Sequence, residues 1–527
     1  MRRRTLGPAL AIGLSAVLLA GCVPGLDRNS WPTPQPTSEQ PGTRPSSPAT
    51  SNPGASSSTT AAPSRPSSTT VGAYDVQPLP DYSGPQPLPA SDGKPMLWPV
   101  STPVSMYSGY QQLVTRSGFL DVTGKMVIPQ RYESYQYCPD ETGRAVLLIA
   151  NRDSKARAEV FDLTGKRLAT LPTTRGDCAG PSYVITTNDG LDEASTRDDV
   201  KNGLYEVATG EWLIPPKKGR QLTSLRPGLI NVTERAGEYF LDLNTGRKIP
   251  HPGWITSSAE LNAGSPGLPA GTARDGGNVG FVDLSGHWLI KPTFADAGSF
   301  GGDLAIVQPR EGSSVLIDAK GQPLPGDWTE IDAVTRTVGD GTAYQPIGYL
   351  ASGPAGQALW DLHGNAVVAL GTGTIDCSWE KEGACSLRPA DGSAQLISLP
   401  DGTRTNLPAG IDDALSRSFA GTAQSDPDGR GAVYSLVSQK LIETVGRSSC
   451  TGAGSDFVVC TPDSDVLPTI VINADGPTPF SSVTPLADPA PSGEAGYYQV
   501  TTSAYSGIVD ASGAWRYRQS SHTRLDD

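Results

Sequence analysis

Residues 280–307 read GFVDLSGHWLIKPTFADAGSFGGDLAIV, and the fold turns on how this stretch is read. Phe281-Val282-Asp283-Leu284 is a β-prone run that ends at Ser285-Gly286, a dipeptide suited to the positive-φ turn of a tight hairpin. Trp288-Leu289-Ile290 is the returning strand. Phe294 to Phe300, a Gly301-Gly302-Asp303 turn and Leu304-Ala305-Ile306-Val307 add two further strands. Outward from this copy the hairpin recurs as GFLDVTGK from Gly118, VFDLTGK from Val160, GLYEVATGE from Gly203, FLDLNTGRK from Phe240, VLIDAKGQ from Val315 and LWDLHGN from Leu359. LISLPDGT from Leu396, VYSLVSQK from Val433, IVINADG from Ile470 and GIVDASGAW from Gly507 complete the series. The turn positions are Gly124, Gly165, Gly210, Gly246, Gly286, Gly321, Gly364, Gly402, Gln439, Gly476 and Gly513, on average about 39 residues apart. Four short strands fit in that length, the size of a propeller blade.

The fold class is therefore all-β: about eleven antiparallel β repeats of ~39 residues, built as propeller-type blades. Propellers ordinarily close with about 4–8 blades. Eleven units leave three arrangements open: one propeller, two propellers, or an open curved β-repeat array. With 60 Gly, 47 Pro and 37% hydrophobic residues, the composition argues against a helical bundle and for many short strands with tight turns.

The stretch from Gly280 to Val307 resembles the bacterial WG-containing repeat, and SGFLDVTGKMVIPQRY from Ser117 is similar to it as well. Val279 and Ser117 stand where that repeat has its signature Trp. Copies such as AEVFDLTGKRLATLP and YFLDLNTGRKIP resemble propeller repeats of the quinoprotein type. The resemblance implies a β-repeat scaffold and brings no defined chemistry with it.

The N-terminus reads as an address. Arg2, Arg3 and Arg4 precede an apolar stretch from Leu10 to Ala20, too short to span a bilayer and typical of a signal peptide. It ends in Leu19-Ala20-Gly21-Cys22, which resembles the lipobox of bacterial lipoproteins. The resemblance implies a signal peptide over 1–21 and acylation of Cys22, palmitate included, as the mature N-terminus. Several acyl chains on one residue anchor stably where a single chain does not. Trp31 to Thr70 is rich in Pro, Ser and Thr, too poor in apolar surface to offset the entropy of ordering. Residues 22–94 are thus expected to be a lipidated, disordered tether, roughly 45–50 Å in root-mean-square reach. The β-repeat body takes 95–527. The expected location is the outer face of the bacterial cytoplasmic membrane.

Six cysteines remain beyond Cys22, an even number that suits disulfides in an exported chain. Cys377/Cys385 and Cys450/Cys460 begin 13 and 11 residues past their turn positions, so each pair should join the first two strands of one blade. Cys138 and Cys178, 40 residues apart, occupy matching places in successive repeats and should staple neighbouring blades. The spacing contains no Cys-x-x-Cys, so metal ligation is not expected.

Chemistry is sparse. The repeated Asp121, Asp162, Asp242, Asp283, Asp318, Asp361 and Asp510 sit just before turns, where a carboxylate accepts local backbone N–H bonds. His251, His287, His363 and His522 are scattered, and no nucleophile elbow, zinc motif or P-loop occurs. Ser91-Asp92-Gly93-Lys94 matches Ser-x-x-Lys without its partner motifs. Two acidic loops, Asn188 to Asp199 and Asp426 to Gly429, lack EF-hand spacing. Most of Trp212, Trp254, Trp288, Trp328, Trp360, Trp379 and Trp515 should pack between blades. No catalytic residue, metal or cofactor is assigned. The net charge of −13 offers no footprint for nucleic acid and speaks against polyanions as main ligands. The expected function is a membrane-anchored binding platform for an envelope protein or cell-wall glycan. A propeller-borne hydrolase or lyase acting on glycans, and a scaffold for an envelope protein complex, are the alternatives.

Overall fold

Ten of the eleven turn residues are glycines with φ between 69° and 135°, and the eleventh, Gln439, sits at φ 56°. Each closes a hairpin, and eleven separate antiparallel sheets follow from them. The computed structural model describes residues 70–71, 75–90 and 96–521, except 109, 154, 188–200, 257–260, 263, 274–275, 339–342, 378–382, 391, 423–430, 445–447, 463–467 and 487–495. All of these belong to one unit, Arg65–Asp527. The described residues contain strands and turns without a helix, so none is long and apolar enough to cross a membrane.

The blades span 98–132, 134–170, 176–218, 221–250, 254–294, 296–318, 330–368, 373–406, 413–444, 448–477 and 482–520. Four strands in sequential order are the rule; blades 1 and 6 have three. In the four-stranded blades the marked turn joins the third strand to the fourth, in blade 1 it joins the second to the third, and in blade 6 Gly321 follows the last strand, so the turn lies at or near the end of each blade. The stretch that sets the period therefore straddles two blades. It supplies the last two strands of blade 5, Gly276–Val282 and Trp288–Phe294, and the first two of blade 6, Asp296–Ala297 and Leu304–Gln308.

First strands of neighbouring blades converge, as the Cα–Cα distance of 5.2 Å between Cys138 of blade 2 and Cys178 of blade 3 shows. They form the inner edge and the fourth strands the rim. Burial follows from this radial layout, because both faces of a blade are covered by its neighbours. Second strands are buried almost throughout, as in Ala145–Asn151 and Leu229–Glu234. Rim strands alternate, as in Trp288–Phe294, half-buried and exposed by turns.

Eleven blades in an open array share ten interfaces; this structure has eleven apolar clusters, one at every seam. The seam between blades 5 and 6, for instance, packs Phe281, Phe300, Val307 and Ile317. The eleventh cluster joins Trp98, Val100 and Leu120 of blade 1 to Leu486 and Ile508 of blade 11. Polar bonds reinforce it: the Ser101 amide donates to Gln499 Oε1 at 3.2 Å, Gln499 Nε2 donates back to Ser101 O at 3.3 Å, and Gln519 Nε2 donates to Thr102 Oγ1. The repeats thus close into a single eleven-blade propeller, which resolves the choice among one ring, two rings and an open array.

The chain laces this junction with its own N-terminal segment, a stretch the composition had grouped with the tether. Thr70–Val71 pairs in parallel with Leu441 and Ile442 on the rim of blade 9. The Gln77 amide donates to Pro477 O of blade 10 and the Gln86 amide to Arg516 O of blade 11, each at 2.9 Å. Leu88 N then bonds Val122 O of blade 1 at 2.8 Å. This strap crosses the rims of blades 9, 10 and 11 in order before entering blade 1. Midway, the Arg518 guanidinium lies 4.3 Å from the Tyr505 ring and 4.9 Å from that of Tyr82 in the strap.

A rim bulge explains a second recurring glycine. Pro cannot donate to a ladder and is tolerated at an edge or bulge, which is where Pro129 and Pro292 fall. The pairing register shifts between Val279 and Phe281 as the rim strand folds over Gly280. A Cβ on Gly280 would meet Ile290 O at 2.4 Å, so no side chain fits there.

Candidate functional site

The repeated aspartates have one shared job. Asp121 Oδ1 accepts the amides of Thr123 and Lys125, and Asp162 Oδ1 those of Thr164 and Lys166, at 2.9–3.1 Å. Asp283, Asp318, Asp361 and Asp510 repeat the pattern two and four residues on, while Asp242 takes the amides of Asn244 and Thr245. These carboxylates hold turns, as expected. Asp140, on the hairpin between the first two strands of blade 2, does the same through Thr142 and Arg144.

All three expected disulfides are present: Cys138–Cys178, Cys377–Cys385 and Cys450–Cys460. The first staples blades 2 and 3. In the third, Cys450 and Cys460 face each other in register on the first two strands of blade 10. Three bridges of this kind point to an oxidising, extracellular-type environment. Cys22, Ser91-Asp92-Gly93-Lys94, both acidic loops, Trp379 and His522 lie outside the described residues. No group of three or more His, Cys, Asp and Glu among the described residues could hold a metal ion.

The histidines stay apart. His251 stacks on Phe240 with ring centroids 4.3 Å apart, and burial pulls its pKa down to about 4, so it is neutral. His363 Nδ1 lies 2.8 Å from Asp303 Oδ2 and links blade 7 to blade 6 on the surface; hydrogen bonding to that carboxylate raises its pKa. His287 is exposed at its turn, 3.9 Å from Asp283. Of the tryptophans, Trp328 and Trp515 are buried, as is Trp98; Trp212, Trp254, Trp288 and Trp360 are half-buried.

The residues that do converge were not singled out by sequence. On the rim at the seam of blades 1 and 2 lies a groove of about 370 Å³. Val127, Ile128 and Pro129 of the blade 1 rim strand and Phe161 of blade 2 form its apolar floor, and Arg131, Arg152 and Arg167 its edge. Beneath them Glu159 is buried, 5% exposed. Its Oε1 lies 2.8 Å from Arg167 Nη1 and 3.4 Å from Arg152 Nη2, and its Oε2 accepts the Tyr132 hydroxyl at 2.5 Å. Burial alone would raise the Glu159 carboxyl, but the Tyr132 hydroxyl and the two guanidiniums outweigh it and hold the pKa below the usual range. Burial and the same carboxylate push the Tyr132 phenol up. Arg131 lies 5.6 Å from the Tyr132 ring centroid. Arg116 ties the two walls together, donating to the carbonyls of Arg131 and Arg152 and pairing with Glu133 at 3.0 Å.

The seam of blades 3 and 4 repeats the plan in a groove of about 390 Å³. Leu213, Ile214 and Pro215 take the places of Val127, Ile128 and Pro129 on the floor, with Tyr239 and Leu241 beside them. Lys248 follows the turn Gly246 by two residues, as Arg167 follows Gly165, and its Nζ lies 4.9 Å from the Tyr239 ring. Here Arg220 is paired with Glu234 at 2.7 Å, and Asp242 lines the wall, so charge is closer to balance. The sequence did carry a signal: a cation two residues after the rim proline (Arg131, Lys217) and another two after the next blade's turn glycine. Only the order of blades around the ring makes those positions neighbours.

Comparison with known proteins agrees with the repeat reading. Residues 280–308 match the WG containing repeat. Three similar solved structures are a eukaryotic initiation factor (13% identity, 73% of this chain and 95% of that one, TM-score 0.31), BamB from Moraxella catarrhalis (12%, 59% and 96%, 0.26) and the WD40 domain of SCAP from fission yeast (10%, 63% and 93%, 0.24). At these TM-scores nothing of their function is read across. No curated protein matches the chain. The chain is a repeat β-propeller protein.

Proposed function

We propose that this protein is an exported, lipid-anchored binding platform that presents the rim grooves of its ring to an envelope protein or cell-wall glycan. The observation that carries the reading is the blade 1–2 groove, an apolar floor edged by guanidiniums that a buried carboxylate holds in place. Such a site is formed before any ligand arrives, which lowers the ordering cost of binding. The lipobox-like Leu19-Ala20-Gly21-Cys22 supports an anchor at Cys22, and the three disulfides support export. The anchor and tether would hold the ring on the outer face of the cytoplasmic membrane.

Fractionation of a bacterial host expressing the chain, with and without Cys22→Ala, tests the anchor. Cys22→Ala should move the protein from the membrane to the soluble fraction; unchanged membrane association contradicts the anchor. The released protein is then incubated with purified wall glycan and with solubilised envelope proteins. Stoichiometric retention by one of them is expected, and retention by neither, with the protein folded, removes the platform.

A further inference from the structure

We propose that the blade 1–2 groove is an anion-binding site that takes a phosphate or carboxylate group between Arg131 on one wall and Arg152 with Arg167 on the other. The inference rests on the platform reading for its setting, while the binding itself can be measured on the purified chain alone.

Charge is the first argument. Three guanidiniums edge the groove and, among the described residues, Glu159 is the one carboxylate paired with them, an excess of positive charge on a chain whose net charge is −13. Whole-chain charge governs long-range steering, whereas a bound anion answers to the groups within a few ångströms. Arg131 has no carboxylate within ion-pair distance among the described residues; its contact is the face of Tyr132.

Preorganisation is the second. Glu159 directs Arg152 and Arg167 through a single oxygen, Oε1, while Tyr132 occupies Oε2. Each guanidinium turns one nitrogen toward Glu159 and has further donors in its planar fork to offer an anion. The side-chain entropy of ordering two arginines is thereby largely spent in folding. An apolar floor of Val127, Ile128, Pro129 and Phe161 excludes water from one side, which strengthens the charge interaction and accommodates the uncharged body of the ligand.

The blade 3–4 groove serves as an internal comparison. It lies at the same position in the repeat over a similar apolar floor, but its Arg220 is paired with Glu234 and Asp242 shares its wall. Anion binding should therefore be confined to the first groove.

Isothermal titration of the full chain in detergent, at low ionic strength, tests this with inorganic phosphate, glucuronate and, as the neutral control, glucose. Phosphate or glucuronate should bind with a Kd below about 10 mM and glucose should not. Binding of phosphate alone or glucuronate alone tells which group the site prefers, and either supports it. Arg131→Gln, which breaks no ion pair, should weaken binding roughly tenfold at unchanged Tm, and Lys248→Gln should leave it unaltered. No anion binding to the native chain, or equal affinity in Arg131→Gln, overturns the site. Anion binding that depends on Arg131 in a protein no envelope fraction retains would keep the site and remove the platform.

Discussion

The hydroxyl of Tyr132, on the rim strand of blade 1, donates to Glu159 Oε2 of blade 2 at 2.5 Å, and both side chains are buried. One bond thus joins two blades and orients the arginines at their seam. Tyr132→Phe keeps the ring but leaves a buried carboxylate short of a donor. It should cost about 1.5–3 kcal/mol in urea unfolding. A loss near zero would show that Glu159 is satisfied without it.

The same carboxylate predicts a pH dependence. Its folded pKa is depressed, so its stabilisation is present above the unfolded value near 4.3 and is lost as pH falls through the folded value. Glu159→Gln should therefore be less stable than the native chain at pH 7, with the gap closing in strong acid. Parallel stability curves for the two proteins from pH 7 down to pH 2 would contradict the assignment.

His251 works in the neighbouring window. Half-buried and neutral, with a pKa of about 4, it accepts no proton between roughly pH 6.5 and pH 4 while the unfolded chain does. Native stability should fall across that interval, by at most about 3 kcal/mol. In His251→Gln this component of the fall should vanish, as chemical denaturation at pH 7 and pH 4.5 would show.

Gln439 is the single non-glycine described residue at positive φ, in a turn where nine repeats place glycine in the same left-handed region and Gly476 lies at φ 135°. Gln439→Gly should raise stability by up to about 1 kcal/mol through relief of that strain. A lower Tm for the variant would mean that the Gln side chain makes a compensating contact.

Removing the Cys138–Cys178 bridge by a double Cys→Ser substitution reopens a 40-residue loop in the unfolded chain. The expected cost is about 4 kcal/mol by loop-closure entropy. Because the bridge joins first strands of two blades, protease cleavage should then appear first around blades 2 and 3.

The blades were legible because each needs a positive-φ residue at one fixed place, and that demand marks the sequence about every 39 residues. It identified even Gln439, where the glycine is missing. The Asp carboxylates and the disulfide register were legible for the same reason: their partners lie within a repeat or one repeat away. Closure was not, since Ser101 meets Gln499 across nearly the whole chain. The strap was hidden in another way. Gln77 binds blade 10 through its backbone amide and its side chain, and Gln86 binds blade 11 through its backbone amide, all in a Pro-rich segment whose composition matches the tether. The groove was hidden because Arg131 and Arg167 belong to different repeats, and whole-chain charge averaged them away.

The most direct test of the rim groove as the working surface is hydrogen–deuterium exchange on the chain with and without the ligand proposed above, wall glycan and solubilised envelope protein being added in turn. Protection should concentrate in Met126–Tyr132 and Arg167–Thr170, the two rim strands that wall the groove. Protection confined to the inner strands, such as Gln221–Arg226 or Glu330–Val338, would place the ligand in the ring's centre and contradict the rim groove as the site.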